Sequence, residues 1–84
     1  MPPARRSKPR SPEHGALGEA IRTIRLEQGL SQEMLAEYAG TDLTQVGGIE
    51  RGVRNPSYTT LLRLAAALET TVGEIATLAD EIRG

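Results

Sequence analysis

The sequence predicts an all-α fold of five short helices. Apolar residues recur at intervals of three and four positions along most of the chain, which is the spacing of one helix face. No stretch alternates apolar and polar residues with the period of two that a half-buried strand shows. Capping residues and glycines stand where the helical pattern is interrupted. A chain of 84 residues allows one small domain and a tail.

The first helix is predicted from near Glu13 to about Gln28, and Gly29 then supplies the left-handed residue that ends it. Its inner face is formed by Leu17, Ala20, Ile21 and Ile24. The second helix is predicted to begin after Ser31, which is a good N-cap, and to end at Gly40. Leu30 and Leu35 form a hydrophobic staple around that cap.

The third helix is predicted to begin after Asp42, another N-cap, and to run to Arg51, with Gly52 as its stop. Ser57 is predicted to cap a fourth helix. The inner stripe of that helix consists of Leu61, Leu64, Ala65 and Leu68.

Thr71 and Glu74 have the spacing of a capping box and predict the start of a fifth helix. The apolar residues of this helix are Val72, Ile75, Ala76, Ala79 and Ile82. This stripe is wider than a small monomer needs to cover. The sequence therefore predicts a two-fold dimer with the fifth helix as its main contact.

The composition excludes several classes of function. The chain has no Cys and one His, so we expect no thiolate nucleophile, no metal site and no cofactor. No Ser or Thr has a partner base, so we expect no enzyme. Two aromatic residues are too few for a single-strand stacking platform. No apolar run approaches the roughly 18 residues of a membrane span, and no signal peptide is visible, so we expect a cytoplasmic protein.

The charges are distributed unevenly along the chain. Residues 1–12 hold four of the five prolines and carry +4, so they are predicted to form a disordered basic arm before a folded domain of residues 13–84. That domain carries −5, yet residues 51–63 contain three arginines and no acid. Such polarity is typical of a surface that meets a polyanion. A solubility tail is the alternative interpretation of the arm.

Ala36, Gly40, Val46 and Ile49 predict two helices that cross closely and are joined by a tight turn, which is a helix-turn-helix. In that motif the second helix enters the DNA major groove.

Three segments carry a family resemblance: LGEAIRTIRLEQGLSQEMLAEYAG, VGGIERGVRNPS and LLRLAAAL. Over residues 16–78 the chain resembles the phage-repressor-like, or XRE-type, helix-turn-helix family. The resemblance implies a five-helix lambda-repressor-like domain that binds double-stranded DNA sequence-specifically, usually as a homodimer. The family includes phage repressors, controller proteins of restriction–modification operons, and antitoxins.

The resemblance also implies roles for individual residues. The base-facing positions of a recognition helix at about residues 43–51 are Leu43, Thr44, Gln45, Gly47 and Gly48. The phosphate contacts are Gln32, Arg51, Arg54 and Asn55. We expect further phosphate contacts from the arm, through Arg5, Arg6, Lys8 and Arg10. Arg25 and Glu50 match a pair that often forms an internal ion pair in this family.

The sequence departs from the family pattern at four positions. Gly47 stands where Ser is common, and Gly48 follows it, which indicates either close approach of the backbone to the groove or a weakened helix. Leu43 is apolar where a polar base reader often lies, and it could meet thymine methyl groups. Glu69 replaces the Gly that usually ends the fourth helix.

The leading hypothesis is a homodimeric transcriptional regulator that binds an operator with two half-sites. The alternative is an antitoxin, or another protein-interaction module of the same fold, whose main partner is a toxin or other protein. The acidic fifth helix and the two glycines of the recognition helix favour that alternative.

Overall fold

The computed structural model describes residues 9–84, and all regular structure in that range is helical. The helices are α1 (Pro12–Glu27), α2 (Gln32–Ala39), α3 (Leu43–Glu50), α4 (Tyr58–Ala67) and α5 (Val72–Arg83). The predicted all-α class with five helices is therefore confirmed. None of these helices is long and apolar enough to cross a membrane.

Each helix begins at a side chain that accepts a hydrogen bond from the backbone N–H three residues later. These caps are Ser11, Ser31, Asp42, Ser57 and Thr71. The last four are the predicted ones. Helix α1 begins at Pro12, one residue earlier than predicted, because proline is favoured in the first turn, where no N–H partner is needed.

The capping box predicted at α5 forms only in part. Thr71 Oγ1 accepts from the Glu74 N–H at 3.0 Å, as predicted. The Glu74 carboxylate, however, accepts from the Thr70 hydroxyl and does not return to the backbone N–H of Thr71. A second hydroxyl beside the cap competes for the carboxylate, which the spacing of two residues alone does not reveal.

The core takes at least one large, fully buried aliphatic side chain from every helix, including Ile21, Leu35, Ile49, Leu64 and Ile75. Helix α3 packs against α1 and α2, and α5 packs against α1 and α4. The long helix α1 therefore contacts both α3 and α5. Burial of one large apolar residue per helix makes the five elements interdependent.

Helices α1 and α3 approach each other closely at Gly18. A Cβ atom at this position would lie 2.2 Å from the carbonyl oxygen of Ile49 and 2.5 Å from that of Glu50. Only glycine allows this contact between the middle of α1 and the end of α3. The close approach fixes the position of α3 on the body of the protein.

Candidate nucleic-acid interface

Helices α2 and α3 are joined by a tight turn at Gly40. Its φ of 72° is left-handed, and the next N–H, of Thr41, donates to the Ala36 carbonyl at 2.9 Å. After this turn, Val46 and Ile49 of α3 are buried in the core. The first turn of α3 is left at the surface, where Leu43 is 45% exposed. Thr44 is also exposed, and Gln45 is half-buried.

The two glycines of α3 are covered by arginine side chains. A Cβ atom on Gly47 would lie 3.1 Å from Nη1 of Arg51, and one on Gly48 would lie 2.5 Å from Cδ of Arg54. Both glycines are buried as a result. The surface over the middle of α3 is therefore made of arginine side chains. Contact of Gly47 and Gly48 with bases stays a prediction, and it requires these side chains to move.

Arg54 reaches back along α3 from the loop that follows it. Its Nη1 donates to Oε1 of Gln45 at 3.1 Å. Arg51, Arg54 and Asn55 are all exposed. The structure thus places the guanidinium of Arg54 beside the first turn of α3.

Arg25 and Glu50 form a buried bidentate ion pair. Nε of Arg25 lies 2.6 Å from Oε2 of Glu50, and Nη2 lies 3.0 Å from Oε1. Nη1 of Arg25 donates to the carbonyl of Leu30 at 2.9 Å. The hydrogen bonds to Glu50 raise the pKa of Arg25 above its ordinary value and outweigh the opposing effect of burial. The pair fastens the end of α3 to α1.

Gln32 joins this buried pair. Its Nε2 donates to Oε1 of Glu50 at 2.9 Å, so the side chain lies between α2 and α3. Its phosphate contact, expected from the family resemblance, stays a prediction, and one amide N–H already has an internal partner. Neither this bond nor the Leu30 contact was anticipated from the sequence, because both depend on how α2 is placed against α1.

Most of the predicted arm, including Arg5, Arg6 and Lys8, lies outside the residues that the structure describes. Arg10 is described and exposed, and its backbone N–H donates to the carbonyl of Gly52 at 2.8 Å. Gly52 directly follows Arg51. The chain therefore enters the domain beside the loop of residues 51–57, the arginine loop, which holds Arg51 and Arg54.

The residues predicted for the dimer contact fall into three groups by burial. Ile75 is fully buried in the core, so it cannot present its side chain to a second copy, and the prediction is wrong for this residue. Val72 and Ala79 are half-buried against the core. Ala76 and Ile82 are exposed. Amphipathic width predicts burial, but it does not distinguish the chain's own core from a partner.

Sequence reasoning also missed Gly18 and the Gln45–Arg54 hydrogen bond. A glycine inside a helical pattern was the available signal for the first, because it often marks a close contact. The second carries no sequence signal, since it depends on the path of the loop after α3.

Helices α2 and α3 are joined by a tight turn, and the first turn of α3 is exposed. Arg51 and Arg54 follow α3 at the surface. This arrangement is that of a helix-turn-helix DNA-binding domain. The family described as Helix-turn-helix matches residues 21–75. The chain belongs to this family, of the phage-repressor-like XRE type.

The relatives include proteins of restriction–modification systems. The chain is 44% identical over 61 residues to the control protein C.SmaI of Serratia marcescens, a match that covers 73% of each chain. It is similar to the crystal structure of the restriction–modification controller protein C.AhdI from Aeromonas hydrophila. That match has a TM-score of 0.76 and 42% identity, and covers 77% of this chain and 98% of the other.

A third similar structure is the controller protein C.Esp1396I, as a tetramer in complex with its natural 35 base-pair operator. Its TM-score is 0.79 at 30% identity, and the match covers 87% of this chain and 96% of the other.

Proposed function

We propose that two copies of this chain bind an operator with two half-sites in double-stranded DNA and regulate transcription in the cytoplasm. In this proposal α3 enters the major groove. The observation that carries it is the surface of α3. One side lies in the core, the exposed first turn lies beside Arg54, and Arg51 covers Gly47. That arrangement leaves base-contacting and phosphate-contacting groups on the same side of the molecule.

The proposed contacts divide into reading and positioning. Leu43, Thr44 and Gln45 lie in the first turn of α3, the part of a recognition helix that contacts base edges. Arg51 and Asn55 lie exposed after α3, where they support contacts with the phosphate backbone. Gly47 and Gly48 take part if the arginines above them move aside.

We further propose that the regulated genes are those of a restriction–modification system. The support is the naming of C.SmaI, C.AhdI and C.Esp1396I as control or controller proteins. The test is where the selected operator occurs in the source genome. A site upstream of a restriction endonuclease gene supports this role, and a site beside a toxin gene supports the antitoxin alternative.

Selection of bound sites from random duplex DNA tests the central proposal. We expect a sequence repeated with two-fold symmetry, its half-sites about one helical turn apart. Thr44→Ala should change preference at one base position per half-site, with a cost of roughly 1–3 kcal/mol. Asn55→Ala should weaken binding to all sequences alike. Recovery of no preferred sequence from the wild-type protein would overturn the proposal.

The dimer is tested at Ile82, the exposed large residue of the predicted stripe. Ile82→Glu should shift sedimentation at tens of micromolar from dimer to monomer, because a charge would be placed in an apolar contact. The matched control is Leu26→Glu, the same type of change at an exposed residue of α1. Wild-type monomer, or an unchanged dimer in Ile82→Glu, would contradict this interface. Ile75→Glu is unsuitable because its side chain is in the core.

A further inference from the structure

The ring of Pro9 lies in a notch between Gly15 and Gly52. We propose that this Pro9 notch holds Arg10 where its guanidinium contacts one fixed phosphate of the DNA backbone. Pro9 and Gly15 are then positioning residues, and Arg10 is the residue that touches DNA. The role of Arg10 rests on the proposed function, since it requires the arginine loop to lie on DNA. The sequence predicts a disordered arm that includes Arg10, whereas in the structure its backbone is bound to the folded domain.

The notch exists because neither glycine has a side chain. A Cβ atom on Gly15 would lie 3.1 Å from Cγ and 3.2 Å from Cβ of Pro9, and one on Gly52 would lie 3.0 Å from Cβ of Pro9. Gly52 also supplies a left-handed φ of 78°. Gly15 is not among the described glycines with a positive φ, so its backbone would accept a side chain. Pro9 is the group that such a side chain would displace.

The backbone of Arg10 is held on both sides. Its own N–H donates to the carbonyl of Gly52 at 2.8 Å, and the residue before it is a proline, whose ring fixes φ. The residue after it, Ser11, caps α1, and its Oγ accepts from the N–H of His14 at 3.1 Å. The exposed side chain of Arg10 therefore extends from a fixed point, so less freedom is lost on binding than for an arginine in a mobile segment.

This fixed point lies in a region of positive charge. The backbone bond brings Arg10 to the residue that directly follows Arg51. Among residues 9–84, the ion pairs are those of Arg25 and Arg83, and neither Arg10 nor Arg51 takes part in one. Glu13, the acid in the first turn of α1, lies 3.4 Å from Nη1 of Arg83. A phosphate supplies the oxygen acceptors that suit an exposed guanidinium.

A fixed cation and a mobile cation act differently on DNA. A mobile basic segment neutralises phosphates along the duplex without a preferred position. An arginine that is held at one point contacts the same phosphate in each half-site, because two-fold symmetry repeats the geometry. Removal of one particular phosphate charge should therefore have the same effect on affinity as removal of the Arg10 charge.

The experiment measures affinity by fluorescence anisotropy for the wild type, Arg10→Gln, Pro9→Gly, Gly15→Leu and the double variant Arg10→Gln/Gly15→Leu. The duplexes carry the selected site with one phosphate at a time replaced by an uncharged methylphosphonate. Arg22→Gln is the charge control, the same change at an exposed arginine of α1 about two turns beyond Gly15. Urea unfolding shows for every variant that the fold is retained.

We expect one position per half-site at which the methylphosphonate weakens binding of the wild type by roughly 2- to 10-fold and leaves that of Arg10→Gln unaffected. Arg22→Gln should keep the wild-type sensitivity at this position. Pro9→Gly and Gly15→Leu should lose it although they keep every charge, because the guanidinium is no longer held in place. In the Arg10→Gln background, Gly15→Leu should have no further effect on affinity.

Three results would overturn the role of the notch. If the wild type selects no sequence, the proposed function fails and the contact of Arg10 fails with it. If the wild type selects a sequence but no methylphosphonate position distinguishes it from Arg10→Gln, Arg10 contacts no fixed phosphate, and the proposed function stands without it. If Pro9→Gly and Gly15→Leu keep the wild-type sensitivity, the notch does not position Arg10.

Discussion

Arg25 and Glu50 are the buried charged residues of residues 9–84, and with Gln32 they connect α1 to both helices of the helix-turn-helix. Glu50 ends α3, Arg25 lies in the last turn of α1, and Gln32 begins α2. Charges that are taken out of water need partners for each donor and acceptor. The network gives each nitrogen of the Arg25 guanidinium and each oxygen of the Glu50 carboxylate at least one partner, with Leu30 contributing its carbonyl. The pair therefore holds the orientation of both helices on α1.

Glu50→Ala should lower the free energy of unfolding by roughly 3–5 kcal/mol, because it leaves the Arg25 charge buried without its carboxylate. Glu37→Ala is the control, since Glu37 is exposed on α2 and should change stability by no more than about 0.5 kcal/mol. Urea denaturation of both variants measures the difference. Equal midpoints for the two would show that the pair does not stabilise the fold.

Glu69 is the non-glycine residue with a positive φ, 56°, in the described part of the chain. It ends α4 in the conformation that glycine usually adopts there, and the next N–H, of Thr70, donates to the Ala65 carbonyl at 2.9 Å. The replacement of the family's usual glycine by Glu69 therefore leaves the end of α4 in place, but it holds Glu69 in a strained backbone conformation.

Glu69→Gly should raise the free energy of unfolding by about 1 kcal/mol, because it removes the left-handed strain of an L-residue. The same replacement at Glu37, inside α2, should lower it by a similar amount. Thermal melts of the two variants should move in opposite directions. A lower melting temperature for Glu69→Gly would contradict the strain.

At the scale of whole elements, local sequence signals predicted the number of helices and most of their ends. Caps and terminal glycines act within a few residues, so they are readable from the chain itself. The competition of Thr70 for Glu74 and the contact at Gly18 were not predicted. The Thr70–Glu74 bond depends on which of two neighbouring groups the carboxylate accepts from. The contact at Gly18 depends on which helices pack together. The periodicity of apolar residues does not determine how distant segments pack.

Gly18→Ala should destabilise the protein by roughly 1–3 kcal/mol, because the new methyl group would push α1 away from the end of α3. The displaced atoms are backbone carbonyl oxygens, which have little freedom to yield. Gly73→Ala is the matched control on α5 and should leave stability unchanged or raise it by up to about 1 kcal/mol. Chemical denaturation of the pair checks the prediction, and similar midpoints would disprove the close contact.

At the scale of the whole molecule, α1 packs against both α3 and the acidic α5. The uneven distribution of charge is readable from the order of residues alone. The sequence assigned one stripe of α5 to a dimer, but burial of Ile75 shows that part of that stripe completes the monomer. An apolar face is stabilised equally by either kind of burial, so only tertiary structure separates them.

The surface position of the first turn of α3, whose residues we propose to face bases, was predictable, because it is fixed by a cap and a turn. The position of Arg54 over Gly48 was not, since it depends on a loop that folds back on the helix. The part of the candidate site that lies on α3 could therefore be predicted from the sequence, and the part that depends on the following loop could not.

We propose that the basic arm adds to DNA affinity, because residues 13–84 carry a net charge of −5. Arg5, Arg6 and Lys8 precede Arg10, whose N–H is bound to Gly52 in the arginine loop. The arm thus starts from the side of the molecule on which DNA is proposed to bind. Each phosphate that it neutralises should add about −0.9 to the slope of log K against log salt concentration.

Deletion of residues 1–8 should flatten the salt slope and weaken selected and non-specific duplexes by similar factors, because phosphate contacts carry no sequence information. This deletion keeps the Arg10–Gly52 hydrogen bond, so the unfolding midpoint should stay constant. The full-length variant with Arg5→Ser, Arg6→Ser and Lys8→Ser separates charge from chain length and should behave like the deletion. Binding is followed by fluorescence anisotropy from low to moderate salt. A slope that is unchanged in both variants would show that the folded domain binds DNA without the arm.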